Sequence, residues 1–300
     1  MKKRTYRVFI LLTIIAVVTS FAITVGLLYE KYAPAIIPTY SKTQHSEDST
    51  FSIHFFNVGE GDSALVECDG HYMLIDGGNP SNSSFLYSYL QRHKIEYLDD
   101  IICTHVHADH AGGLSGALNY AKVGTAYAPV TKGDGKAFIN FVKYLDKQGK
   151  GITVPSPGDS FALGSAKITI IGPVDMSLAS ENENNSSIVL RIVYGDTSFL
   201  FTGDAEEAEE LSIVNSKAVL RSTLLKVGHH GSSTSSSKEF LRAIKPDVSI
   251  ISVGKDNGYG HPHEVILERL QKFCTKIYRT DIQGEIICRS DGSSLSFTFQ

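Results

Sequence analysis

Paired cysteines are missing from this sequence. Its four cysteines, Cys68, Cys103, Cys274 and Cys288, form no CxxC and keep no regular spacing, which argues against a structural zinc knuckle and a dense disulfide scaffold. Cys274 and Cys288 lie close enough in sequence to bridge in an oxidising exterior, and four separate buried thiols are the alternative. Runs of lysine and arginine are missing too, and the net charge is −4, so no global field draws a nucleic acid to the surface. That counts against tight nucleic-acid binding, yet leaves room for a nuclease that holds phosphates mainly through metals. From Phe51 onward there is no second linker, low-complexity run or repeat of fixed period, so a single domain over 51–300 is the simpler organisation. With 42% hydrophobic and 20% charged residues, that length can bury a sizeable core.

One long apolar run is present. Val8 to Leu28 is uncharged over 21 residues, and about 20 apolar residues span a bilayer as a helix. Lys2, Lys3, Arg4 and Arg7 precede it, while Lys31 follows beside Glu30. The positive-inside rule then leaves the basic tip in the cytoplasm and the body of the protein outside. Signal-peptide cores usually run to roughly 7–15 residues and end in a small-x-small site. This core is longer and no Ala-x-Ala follows it closely. Residues 1–28 therefore read as a single-pass transmembrane anchor, in preference to a cleaved signal that would leave the protein secreted. Residues 29–50, rich in Pro, Ser, Thr and charge without periodicity, read as a stalk.

The remainder opens with short β-branched and aromatic runs, FSIHFFNV, SALVEC and HYMLID, punctuated by Gly59, Gly61, Gly70 and Gly77-Gly78. This is the pattern of a hairpin meander. A helix near Ser83 to His93, a strand at Asp100 to Thr104 and a helix at Ala111 to Tyr120 come next. ALGSAKITIIG, SSIVLRIVYG and TSFLFTGD then read as consecutive strands. Beyond them a helix (Ala205 to Val214), a strand (Leu224 to Val227), a helix (Ser237 to Ile244) and a strand (Val248 to Val253) alternate. Strand-rich halves interleaved with helices predict an α/β fold of four layers, two packed sheets with helices outside.

The chemistry concentrates in THVHADHAGG, residues 104–113. Three histidines and an aspartate sit within six residues directly after an apolar strand. Side chains two apart point the same way in extended chain, so His105 and His107 converge on one ion. Asp109 and His110 diverge from that pair, which suits a second ion alongside. Imidazole and carboxylate are the ligands that borderline divalent metals prefer. A pair of cations roughly 3.5–4 Å apart usually shares a bridging carboxylate, and Asp204, at the end of the strand SFLFTGD, is the best candidate. It would serve equally as the N-cap of the helix expected at Ala205. In KVGHHGS an apolar strand delivers His229 and His230 into a Gly/Ser turn. Adjacent side chains diverge, so one of the two ligates and its neighbour faces substrate, unless both are simply exposed. Asp76 closes HYMLID, where it either fixes the tautomer of a ligand imidazole or makes an ordinary Asp-Gly turn. His261, in YGHPH, is a position for substrate contact.

THVHADHAGG, FTGD and KVGHHGS, preceded by NVGEGDSALVE and MLIDGG, together resemble the metallo-β-lactamase superfamily. Within it the likeness is to the hydrolase domain of competence-type (ComEC-type) DNA-uptake proteins and their stand-alone relatives. The resemblance covers about residues 51–299, with five motifs in order. It implies an αββα sandwich with the site at one edge of the two sheets. It also implies His105 and His107 on one divalent ion, Asp109 and His110 on the other, Asp204 bridging, and one of His229 or His230 completing the second site. Zinc is the expected metal and manganese the next. Two departures stand out. The superfamily supplies a further histidine to the first ion, whereas no histidine occurs here between His110 and His229. Asn184-Asn185-Ser186 stands in its place, so an asparagine carbonyl or a water is expected there, with Asn185 a position behind the ligands or for substrate contact. Asn57 stands where relatives often carry an acid.

The expected activity is hydrolysis by a metal-bound hydroxide, the two cations stabilising charge on the attacked centre. Asp109 would orient the nucleophile, and whichever of His229 and His230 is not a ligand would steady the oxyanion or protonate the leaving group. The expected substrate is a phosphodiester outside the cell membrane, in DNA, RNA or an envelope polymer. A non-catalytic, metal-stabilised surface binding module is the competing reading. No protein partner is legible.

Overall fold

Alternation along the strands sorts the chain into layers. The protein is described from a computed structural model over residues 51–274 and 276–300; the expected anchor and stalk lie outside the described residues. In chain order these form β1 (Phe51–Phe55), β2 (Ala64–Cys68), β3 (His71–Ile75), α1 (Ser83–His93) and β4 (Tyr97–Ile102). The short helices α2 (Ala108–Ala111) and α3 (Leu114–Tyr120) follow, then β5 (Lys122–Tyr127), α4 (Lys136–Lys147) and β6 (Ile152–Thr153). The second half gives β7 (Ser160–Leu163), β8 (Ala166–Gly172), β9 (Val189–Tyr194), β10 (Thr197–Phe201), α5 (Glu207–Asn215) and β11 (Leu224–Lys226). It ends with α6 (Lys238–Ile244), β12 (Val248–Ile251), α7 (Glu264–Phe273), β13 (Lys276–Arg279), α8 (Thr280–Gln283), β14 (Ile286–Ser290) and β15 (Leu295–Phe299).

One sheet runs β15-β14-β1-β2-β3-β4-β5-β6 and the other β13-β12-β11-β10-β9-β8-β7. Phe51, Ile53 and Phe55 of β1, Val66 and Cys68 of β2, and Met73 and Ile75 of β3 share one buried cluster with Ile168, Leu190, Phe199, Phe201 and Ile250 of the second sheet. That is the layer between the sheets, formed because successive side chains point to opposite faces. The opposite faces are covered by helices. Leu65, Leu74 and Ile101 pack with Leu86, Leu114, Phe138 and Phe141, while Leu200, Leu225 and Ile251 pack with Ile213, Phe240, Leu241, Ile266 and Leu270. The architecture is the expected α/β sandwich of four layers. Among the described residues, no helix is long and apolar enough to cross a membrane.

Several boundaries differ from expectation. The strand expected at Asp100–Thr104 is Tyr97–Ile102, because Thr104 leaves the sheet to bond Asp76. The helix expected from Ala205 begins at Glu207; Gly203, at φ +50, turns the chain and Ala205 N donates to Thr202 O (3.1 Å). Asp204 is therefore no helix cap. All four cysteines are free thiols, with Cys274 half-buried and the others buried, so the bridge between Cys274 and Cys288 is not formed.

The connectivity places five loops together. β3 and β4 run parallel, with Ile75 beside Ile102. β10, β11 and β12 are also parallel, with Phe201 beside Lys226 and Lys226 beside Ile250. Asp76, Thr104 to His110, Asp204, His229-His230 and Ser252 all follow the carboxyl ends of these strands, where α/β sheets gather their ligand-binding loops.

Candidate metal centre

Backbone contact between glycines lets these loops approach. Gly77 N donates to His110 O (2.7 Å) and Gly113 N to Gly78 O (3.0 Å). A Cβ at Gly77 would strike the backbone of Gly113 and Leu114, and one at Gly113 the carbonyl of Gly77. The MLIDGG and DHAGG motifs thus need their glycines for the same contact. On the other sheet, His229 (φ +47) and His230 (φ +52) are both left-handed, a conformation that costs roughly 1–2 kcal/mol per non-glycine residue. The following serine loop holds them there. Buried Glu210 accepts from Ser236 N (2.5 Å) and Ser237 N (2.7 Å), and Arg269 donates to Ser235 O and Ser236 O.

Four donors converge. Asp109, His110, Asp204 and His230 each turn a ligand atom to within 4.8 Å of the others. Asp204 Oδ2 lies 3.2 Å from His110 Nε2 and 3.4 Å from His230 Nε2, and Asp109 Oδ2 lies 3.3 Å from His230 Nε2. The other ring nitrogens point away, to fixed acceptors. His110 Nδ1 faces Asp76 Oδ2 at 2.8 Å, and His230 Nδ1 faces Ser252 O at 3.1 Å and Asp62 Oδ1 at 3.3 Å. Asp76 also accepts from Thr104 N and Thr104 Oγ1, both at 2.7 Å. With both Nδ1 atoms occupied by these acceptors, both Nε2 atoms are the ones directed at the cluster, where an entering ion would displace the proton they carry.

His105 and His107 meet as a second pair, with His105 Nε2 3.0 Å from His107 Nδ1 and the His105 and His110 ring centroids 4.2 Å apart. Asn185 does not join them, because its side-chain oxygen accepts from Glu206 N (3.1 Å). Its neighbour Asn184 instead lines the cleft. His229 stands outside the four-donor cluster. Its Nε2 is 3.8 Å from Asp204 Oδ2, and its Nδ1 lies 3.2 Å from both Glu206 Oε1 and Thr234 Oγ1. His261 lies across the cleft with Nδ1 3.0 Å from Glu60 Oε1, and exposed Tyr259 stacks on it. Asn57 is exposed and caps its own turn. The cleft holds about 320 Å³ and is lined by Glu60, His107, Asp109, Asp204, His230 and His261 among others, with no Lys or Arg among the described residues.

The charges fit a cation. Burial opposes charge on His110, yet Asp204 and Asp76 outweigh it and hold its protonation well above the ordinary range; His230 behaves likewise under Asp204 and Asp109. Burial also opposes ionisation of Asp204, and His110 and His230 overcome it. His105 is driven the other way, chiefly by burial and then by His110. The sharpest observation is that His110 Nε2, His230 Nε2 and Asp204 Oδ1 are buried without a hydrogen-bond partner, as is Asn184 Oδ1. Each such orphan costs about 1–3 kcal/mol, and all four lie on residues of this centre. Imidazole, carboxylate and amide oxygen are a donor set suited to divalent zinc or manganese.

Two residues under the centre, Lys226 and Asp62, were not among the expected site residues. Lys226 ends β11 pointing between the sheets, 2% exposed, with Nζ 2.7 Å from Asp62 Oδ2 and 2.7 Å from Val227 O. Asp62 in turn faces His230. The signal available was a lysine closing an apolar strand, and an aspartate in NVGEGDS that needed a buried partner.

Known proteins share the family and the fold. The model of the metallo-beta-lactamase superfamily matches residues 56–255. ComE operon protein 3 of Bacillus subtilis is 31% identical over 78% of this chain and 32% of its own length. Recombination protein 2 of Haemophilus influenzae is 29% identical over 79% of this chain and 28% of its own. Competence protein ComA of Neisseria gonorrhoeae is 26% identical over 86% and 34%. The chain thus spans about a third of the length of these relatives. Among solved structures, the metallo-beta-lactamase fold protein YhfI from Bacillus subtilis superposes with TM-score 0.51 at 13% identity, over 83% of this chain and all of that one. CmlA, a diiron beta-hydroxylase from Streptomyces venezuelae, gives TM-score 0.54 at 14% identity, over 82% and 55%. From the match over residues 56–255, the sandwich and the loops it brings together, this chain belongs to the metallo-beta-lactamase superfamily.

Proposed function

We propose that this chain is a metal-dependent phosphodiester hydrolase with a two-ion centre, zinc first and manganese second, acting on a nucleic acid or phosphodiester-containing envelope polymer outside the membrane. The observation that carries the reading is the convergence of Asp109, His110, Asp204 and His230 with unpartnered buried atoms at the base of an open cleft. Divalent ions in such a centre bring the pKa of a bound water toward neutrality and offset charge on the attacked group. His110, His230, Asp109 and Asp204 would hold one, and His105 and His107 the other, with Asp204 between them. Among the described residues the cleft wall carries Glu60, Asp109 and Asp204 and no Lys or Arg, so it repels a phosphodiester until cations offset those carboxylates. Selectivity for a polyanion therefore rests on the centre itself.

Chain groups supply the rest. Asp109, half-buried at the cleft, orients the attacking water. His229, held by Glu206 and Thr234, and His261, held by Glu60, face the cleft from the rim. His229 is placed to protonate the leaving oxygen, and His261 to contact the substrate's non-bridging oxygens. The match to Competence protein ComA and the Val8 to Leu28 run support an extracytoplasmic nucleic-acid substrate ahead of the other choices. The test is turnover of bis(p-nitrophenyl)phosphate by the full chain with zinc and manganese in parallel, followed by DNA, RNA and choline-phosphate substrates. Metal-dependent turnover that Asp204→Ala abolishes without unfolding the protein is expected. A chain that binds no metal and turns over no diester is instead a surface binding module.

A further inference from the structure

We propose that Asn184 donates its amide oxygen to the ion held by His105 and His107, and that this neutral donor makes the two metal positions unequal. The inference rests on the two-ion reading above and concerns how this chain completes a centre that lacks a third histidine.

The orientation of the Asn184 amide is fixed by its partners. Its Nδ2 donates to Glu206 Oε1 at 3.0 Å, and a carboxylate only accepts, so the amide oxygen must face the other way. Glu206 is itself held by His229 Nδ1 at 3.2 Å. The backbone of Asn184 is held as firmly. It lies in the tight turn Glu183–Ser186, where Asn182 Oδ1 accepts from Asn184 N (3.0 Å) and Asn184 O accepts from Ser187 N (3.0 Å). The residue is 6% exposed, its Oδ1 is buried without a partner, and it shares the cleft wall with His107 and Asp204. Asn185, the obvious neighbour, is already used by Glu206 N.

His107 leaves the position open on the same side. Its Nε2 is 3.3 Å from Glu183 Oε2 at the exposed rim, while its Nδ1 faces His105 Nε2. Two imidazoles and the amide oxygen then surround one ion, with Asp204 shared. The other ion has the full carboxylate of Asp109 in addition to Asp204, and two imidazoles whose tautomers are fixed by Asp76 and Ser252. One fewer carboxylate means weaker attraction for a divalent cation, so the His105–His107 position fills second.

The test titrates metal-free full chain with zinc against a chromophoric chelator and resolves two binding steps. The first equivalent is expected to bind at least ~10-fold tighter than the second. Asn184→Ala should weaken the second step by roughly 10-fold and leave the first unchanged, and His105→Ala should remove the same step. Asn184→His should tighten it and narrow the gap, a gain that general damage to the fold cannot produce. Equal steps in the native chain, or a second step indifferent to both Asn184 variants, overturns the proposal while leaving the hydrolase reading intact. A native chain that binds no zinc and turns over no diester overturns both.

Discussion

Replacing Asp76 by asparagine changes one functional group and should reverse both hydrogen bonds to Oδ2, the one from the Thr104 hydroxyl, which can rotate to accept, and the one from His110. The Asp76 carboxylate accepts from Thr104 N (2.7 Å), Thr104 Oγ1 (2.7 Å) and His110 Nδ1 (2.8 Å). Asparagine tolerates the left-handed backbone there, φ +57, as aspartate does, and its oxygen can keep the bond from Thr104 N. Its NH2 then sits where Oδ2 was and presents a donor to His110. The imidazole can answer only by moving its proton from Nδ1 to Nε2, the atom 3.2 Å from Asp204. That proton occupies the lone pair an ion would take. Loss of such an orienting partner costs 10–100-fold in metal affinity, or about 1.4–2.8 kcal/mol at 1.4 kcal/mol per decade. Stability of the metal-free protein should move far less. Asp76 is fully buried and burial raises its carboxyl despite the pull of His110, so a neutral amide suits the site. Chelator competition for the first zinc equivalent, with urea unfolding of metal-free protein alongside, separates the two effects. Native zinc affinity in Asp76→Asn would refute the tautomer argument, and a loss of several kcal/mol without metal would make Asp76 a structural residue only.

Three further expectations concern charge. Lys226→Met leaves Asp62 buried without its ion-pair partner and should cost about 3–5 kcal/mol, most of it recovered in Lys226→Met/Asp62→Asn; urea unfolding of the three proteins decides, and a double variant no better than the single would contradict the pairing. The zinc ion entering the four-donor cluster should expel protons at pH 7, because carboxylates hold His110 and His230 protonated well above the ordinary range against their burial. Calorimetry in buffers of different ionisation enthalpy counts those protons, and a count near zero would show the imidazoles to be neutral beforehand. Asp100, 6% exposed in β4, is raised to about 7 by burial and then by Asp99. Its folded pKa exceeds the unfolded value near 3.8, so the native state binds the extra proton between those values and stability declines as pH rises from 4 to 7. Asp100→Asn should therefore gain about 2–3 kcal/mol over the native protein between pH 4 and 8, after allowance for residual solvation; a gain that does not grow with pH would rule this out.

The fold was legible wherever one side of an element is buried. Phe51, Ile53 and Phe55 alternate with Ser52 and His54, and that period of two announces β1 before any partner is known. The stripe of α4 in Ala137, Phe138, Phe141 and Leu145 is as plain, although no helix was expected there. Ends of elements were not legible, because tertiary partners set them. Thr104 sits at the end of an apolar run yet belongs to a loop, since Asp76, 28 residues earlier, takes both its N–H and its hydroxyl. Ala205 is a good helix former, but Gly203 turns the chain first and the helix waits until Glu207.

For the centre, legibility followed the length of chain over which a geometry is fixed. His105 and His107 are two apart in one loop, and their convergence follows from local geometry alone. Which of His229 and His230 faces Asp204 depends on two consecutive left-handed residues, a conformation that non-glycine sequence argues against and that the Glu210 and Arg269 contacts to the serine loop maintain. The choice between Asn184 and Asn185 is finer still. The residues are adjacent and chemically identical, and only Glu206 separates them, its N–H taking the oxygen of one and its carboxylate the nitrogen of the other. An asparagine oxygen or a water was expected near His105 and His107, without a choice between the two neighbours. The register of that single glutamate, 22 residues beyond Asn184, settles which amide oxygen remains unpartnered at the cleft wall.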